Sequence, residues 1–100
     1  MNKTKLLNML GLAMRAGKLV TGEELVVKEI RSQKAALVLI ASDAGKNTQK
    51  KVKDKSTYYK VPCFDELTST EISHAIGKPR MVIAVMDQGF GRKIKELIQG

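Results

Sequence analysis

Lys34-Ala35-Ala36-Leu37-Val38-Leu39-Ile40-Ala41-Ser42-Asp43 contains an unbroken apolar run, Ala35 to Ala41, closed by polar residues on both sides. The run has the length of a strand, and its lack of polar alternation predicts a central strand covered on both faces rather than one with a wet side. Such a strand needs helices above and below the sheet, so the chain is expected to be α/β. A second apolar run, Met81 to Met86, is rich in Val and Ile and predicts a second buried strand.

The segments around these runs read as helices. Upstream, Leu6, Leu10 and Ala13 fall on one helical face over residues 3–16, and Gly17 is placed to cap that helix in the left-handed conformation. The apolar pair Leu19-Val20 precedes Thr21-Gly22-Glu23-Glu24, where Thr21 and Glu24 have the spacing of a capping box, so a second helix is expected from there to about Ser32. Downstream, residues 48–58 are Lys-rich, with Val52 as the main apolar anchor, and predict a surface helix with a narrow buried stripe.

Lys60-Val61-Pro62-Cys63-Phe64 is short, and its proline removes a ladder donor, which favours a sheet edge. Thr68-Ser69-Thr70-Glu71 is a second capping-box pattern, followed by Ile72, Ala75, Ile76 and a closing Gly77. Residues from Gly89 through Ile98 read as a terminal helix with Ile94, Leu97 and Ile98 turned inward, although Gly89-Phe90-Gly91 taken alone suggests a turn before it. Together these elements predict a three-layer α/β/α sandwich with a mixed sheet of about four strands. At 100 residues, without linker, repeat or low-complexity segment, residues 1–100 are expected to form one domain.

The formal net charge of +8 favours polyanionic partners, because each Lys or Arg brought to a phosphate releases a condensed counterion. A single cysteine, Cys63, leaves no intramolecular disulfide, zinc knuckle or CxxC redox site, which fits a reducing compartment. The basic start of the chain is followed by apolar residues that Asn8, Gly11, Arg15 and Lys18 interrupt too early for a signal or membrane segment. A cytoplasmic location without membrane association is therefore expected.

Candidates for catalysis are poor. His74 has no second His or Cys at ligand spacing, and Glu71 beside it is equally well used as a cap. Cys63, between Pro62 and Phe64, reads as a small buried hydrophobe. Gly45-Lys46-Asn47-Thr48 follows a strand as a phosphate loop would, but Ile40 occupies the position of the upstream glycine. Gly89-Phe90-Gly91 lacks the third glycine of a dinucleotide fingerprint. Ser42 and Asp43 end a strand without a partner base. No enzyme, cofactor, metal or small-molecule substrate is expected.

The clearest charge cluster, Lys46, Lys50, Lys51, Lys53, Lys55 and Lys60, is opposed within its helix by Asp54 alone. A solvated outer face explains such a run as well as phosphate contact does, so Lys46, Lys50 and Lys53 are kept only as secondary contacts. Tyr58, Tyr59, Phe64 and Phe90 are the only aromatic residues, little material for stacking on single strands, and shape recognition of folded RNA fits better.

Gly22-Glu23-Glu24-Leu25-Val26-Val27-Lys28, then residues 34–43, then Ala75-Ile76-Gly77 before the apolar run at 81–86, resemble the ribosomal protein L7Ae family over about Leu6 to Phe90. Residues 11–20, Gly-Leu-Ala-Met-Arg-Ala-Gly-Lys-Leu-Val, are similar to its bacterial YlxQ-like branch. The resemblance implies an α/β/α sandwich that binds kink-turn or related helix–internal-loop–helix RNA without cofactor or catalysis.

In that family the second helix meets RNA through a Gly, then an Asn or Lys followed by Glu or Gln, and a further Lys. Gly22 and Lys28 match, whereas Glu24 stands at the Asn or Lys position and Leu25 at the Glu or Gln position. Glutamate offers no donor at neutral pH and repels phosphate, so base readout is expected to be weaker than in typical relatives. The other part of the family's RNA surface corresponds to Gly77-Lys78-Pro79-Arg80-Met81, here basic and stiffened by Pro79. The site expected is therefore Gly22, Glu23, Glu24 and Lys28 together with Gly77, Lys78, Arg80 and Met81, acting as a monomer on structured RNA such as kink-turn or ribosomal RNA. The alternative is a protein-interaction or ribosome-assembly module that kept the fold but lost base-specific contacts.

Overall fold

The computed structural model describes all of residues 1–100. Its elements follow in the order α1 (Lys3–Arg15), β1 (Leu19–Thr21), α2 (Glu23–Arg31), β2 (Leu37–Ile40), α3 (Lys46–Tyr58), β3 (Cys63–Phe64), α4 (Ser69–Ile76), β4 (Val82–Val85) and α5 (Gln88–Gln99). The strands form one mixed sheet in the order β1-β4-β2-β3. β4 runs antiparallel to β1 and β2, while β2 and β3 are parallel. The two apolar runs are thus the interior strands, and the proline-bearing segment lies at an edge, as the sequence predicts.

Strand alternation divides the core between two layers. Leu37, Leu39, Ile83 and Val85 face a cluster with Leu6 and Leu10 of α1, Ile72 and Ile76 of α4, and Ile94 and Ile98 of α5. Val38, Ile40, Val82 and Ala84 face the opposite cluster, with Val26, Val27 and Ile30 of α2 and Val52 of α3. Every residue of β2 and β4 is buried, because helices cover both faces.

Helix ends are set by local chemistry, with two departures from the sequence reading. Thr68 and Glu71 form the reciprocal capping box expected for α4, and Gly77 closes that helix with φ 80°. Replacing Thr68 with Ala is expected to cost about 1 kcal/mol, read as a lower urea midpoint at unchanged slope.

The Thr21–Glu24 capping box is not formed. Gly22 is the N-cap of α2, no side chain caps that helix, and Thr21 belongs to β1, paired with Ile83. Strand pairing has claimed the residue that the local pattern assigns to the cap. Gly89-Phe90-Gly91 is also not a turn but the first turn of α5, started by the Asp87 carboxylate, which accepts from the Phe90 N–H at 2.8 Å. Gly91 is there for space: a Cβ on it would lie 3.0 Å from the Cβ of Ala36. Cys63 is half-buried at the sheet edge, not in the core, and burial pushes its thiol pKa up.

Candidate nucleic-acid interface

The sheet brings the start of α2 beside the start of β4. The Gly22 N–H donates to the Val82 carbonyl at 3.0 Å, so the turn into α2 and residues 77–81 share one end of the molecule. Gly22 has φ 97° and ψ 147°, a conformation costly for any residue with a Cβ, although a Cβ there would meet nothing within 4 Å. Conformation rather than crowding is therefore what calls for glycine. With no side-chain cap, the first-turn N–H groups of α2 point outward at the positive end of the helix dipole.

Arg80 is the cation that the fold places most firmly there. Its backbone N–H donates to the Ser73 Oγ at 3.0 Å, and that hydroxyl donates back to the Arg80 carbonyl at 3.2 Å. Its Nε donates to the Thr21 Oγ1 at 3.2 Å and its Nη1 to the Pro79 carbonyl at 2.7 Å. None of the ion pairs in the structure involves Arg80, so its charge is left unpaired. It lines an open cleft of about 460 Å³ with Glu23, Thr48, Ser69, Ser73, Pro79, Met81 and Val82.

The other expected residues spread around this cleft. Lys78 and Gly77 border a neighbouring depression that shares Ser69, Ser73 and Pro79 with it. Glu24 and Lys28 line another along α2, with Arg31 and Lys51. Lys28 lies about 9 Å along the helix from Gly22, by the helical rise. Met81 is 40% exposed and Leu25 56%, two apolar side chains open to solvent in this region.

Glu23 is held by α3. Its carboxylate accepts from the Thr48 hydroxyl at 2.8 Å and from the Lys51 ammonium at 3.2 Å, which ties the start of α2 to the flank of α3. These partners hold its pKa below the ordinary glutamate range, the Thr48 hydroxyl foremost. A carboxyl lowered in this way stabilises the fold above its unfolded pKa, and that contribution is lost as pH falls through the folded value. Glu23→Gln is therefore expected to lower the urea midpoint at neutral pH and to converge with the parent protein below the ordinary glutamate range. A midpoint difference independent of pH would contradict the latch.

Three lysines of the charge cluster, Lys50, Lys51 and Lys53, have carboxylate partners. Lys50 pairs with Asp54 at 3.1 Å and Lys53 with Asp65 at 2.9 Å, so of the secondary candidates only Lys46 is unpaired. The cleft also uses residues that sequence reasoning did not single out: Thr48, Ser69 and Ser73 line it, and Thr21 orients Arg80. Lys51 and Arg31 border the α2 depression. No local signal marks Thr21 or Ser73 for this role: the capping-box spacing points Thr21 elsewhere, and the contact that engages it spans 59 positions.

Catalytic features are not assembled. Asp43 accepts from the N–H and hydroxyl of Ser69 at 2.8 and 2.7 Å, joining the end of β2 to the start of α4. These bonds hold the Asp43 pKa below its ordinary range, the hydroxyl bond foremost. His74 is exposed, and no group of three or more His, Cys, Asp or Glu side chains is placed to hold a metal. No helix is long and apolar enough to cross a membrane.

A three-layer sandwich with an uncapped helix N-terminus and a basic loop at one end of its sheet defines a small α/β module suited to polyanions. The chain belongs to the ribosomal protein L7Ae/L30e/S12e/Gadd45 family, whose family model matches residues 4–95. It is 58% identical over 99 residues to an RNA-binding protein YlxQ of Enterococcus faecium, covering 99% of this chain and 96% of that one. It is 52% identical over 91 residues to the RNA-binding protein YlxQ of Bacillus subtilis, covering 90% and 91%. A solved structure of a protein with unknown function from Bacillus halodurans C superimposes with a TM-score of 0.93 at 45% identity, covering 96% of this chain and 98% of that one. The resemblance read from the sequence is thus borne out.

Proposed function

We propose that this chain binds structured RNA of the kink-turn or ribosomal type in the cytoplasm, as a monomer and without catalysis, through the start of α2 and the loop 77–81. The observation that carries the reading is Arg80, an unpaired guanidinium fixed by hydrogen bonds beside an uncapped helix N-terminus. Helix N-termini and fixed guanidinium groups both suit phosphate oxygens. Lys28 and Lys78 extend the positive rim on either side, while Glu24, exposed and engaged in no cap, adds no donor for a base edge. Affinity then comes from phosphates and shape, with base contacts contributing less. Membership of a family that includes RNA-binding proteins named YlxQ supports the same reading.

A second reading, a protein-interaction module, has one observation in its favour: Leu25 and Met81 expose apolar surface where an RNA binder needs donors. Titration against a kink-turn RNA and a plain duplex of similar length, each at two salt concentrations, separates the readings. Kink-dependent binding that weakens with salt is expected. Weak binding, equal for both RNAs and lost with salt, would leave only a basic surface and favour a protein partner.

A further inference from the structure

We infer that Thr21 is a positioning residue for RNA binding, its hydroxyl aiming the Arg80 guanidinium at a phosphate across the mouth of the cleft. This rests on the reading that Arg80 meets RNA. Thr21 is the last residue of β1, fixed by its pairing with Ile83, and its hydroxyl caps no helix. The hydroxyl accepts from the Arg80 Nε instead, at 3.2 Å.

The geometry restrains Arg80 at three levels. Ser73 clamps its backbone in both directions, Pro79 holds Nη1 at 2.7 Å, and Thr21 holds Nε, so the guanidinium plane has a fixed direction while its other N–H groups stay open. Thr21 is β-branched and half-buried, and its χ1 is restricted before any RNA arrives. An arginine ordered in advance loses less rotamer freedom on binding, which is worth about threefold to tenfold in affinity. An unpaired arginine anchored by a hydroxyl from a distant strand keeps its full charge for a ligand, whereas anchoring by a carboxylate would neutralise it.

The test is a double-mutant cycle on the full chain, with a kink-turn RNA as probe, using the parent protein, Thr21→Val, Arg80→Ala and the double variant. Thr21→Val keeps the shape and removes the acceptor, and is expected to weaken binding about threefold to tenfold when Arg80 is present and to have no effect when it is absent. Thr21→Ser keeps the acceptor and is expected to bind like the parent. In the RNA-free protein the Arg80 Nε–Hε resonance is expected to be protected from exchange, and to lose that protection in Thr21→Val. An equal cost of Thr21→Val in both backgrounds, or no cost while Arg80→Ala does weaken binding, would overturn the positioning role and leave the RNA site intact. No loss of affinity from Arg80→Ala, or no binding by the parent, would overturn the site and the positioning role together.

Discussion

Replacing Lys28 and Arg80 together by alanine is expected to weaken binding to a kink-turn RNA about thirtyfold near physiological salt, and to lower the slope of log affinity against log salt by about 2. The magnitude follows from counterion release: each phosphate neutralised contributes about 0.9 to the slope, so two lost contacts forfeit about 1.5 decades at 0.15 M. The two residues lie on different elements, Lys28 on α2 and Arg80 ahead of β4, yet the Gly22–Val82 hydrogen bond holds those elements together. The loss should be similar for RNAs of different sequence, since phosphate contacts carry no base information. Fluorescence anisotropy over a salt series reads both quantities. An unchanged slope would move the interface elsewhere on the surface.

A second large effect is expected in stability. Ile83→Ala should cost about 3 kcal/mol and lower the thermal midpoint by about 15 °C. Ile83 is completely buried, sits in β4 between Thr21 of β1 and Leu39 of β2, and packs into the cluster shared with α1, α4 and α5. Shrinking it leaves a cavity that three helices and two neighbouring strands bound, with little room to collapse. Calorimetry at a fixed scan rate measures the shift. A fall of only a degree or two would mean that this layer is loosely packed and that the division of the core between two faces matters less than its burial suggests.

Local features of the sequence were legible where local forces decide. The apolar runs became β2 and β4 because nothing but two-sided burial suits them, and the Thr68–Glu71 box formed because its partners lie three residues apart. Thr21–Glu24 has the same spacing and failed, because Thr21 was already paired in β1 and its hydroxyl was engaged by an arginine far along the chain. The two glycines near residue 90 suggest a turn on propensity alone, yet Gly91 is required inside α5 by the approach of Ala36.

The candidate interface was legible in outline and not in its electrostatics. Gly22, Lys28 and the basic loop could be named from the chain, but which charges remain available depends on ion pairs made after folding. Lys50 and Lys53 have carboxylate partners, and Glu23, in the wall of the cleft, is engaged by Thr48 and Lys51. Arg80 has none, and that difference arises from packing rather than composition.

The most direct test of the interface is chemical-shift mapping of the labelled protein as kink-turn RNA is added. The largest changes are expected at Gly22 to Lys28 and at Gly77 to Met81, including the side-chain Nε of Arg80, with small changes along the outer face of α3. Changes concentrated on α3 or α5, with the Gly22 and Arg80 signals unmoved, would contradict it.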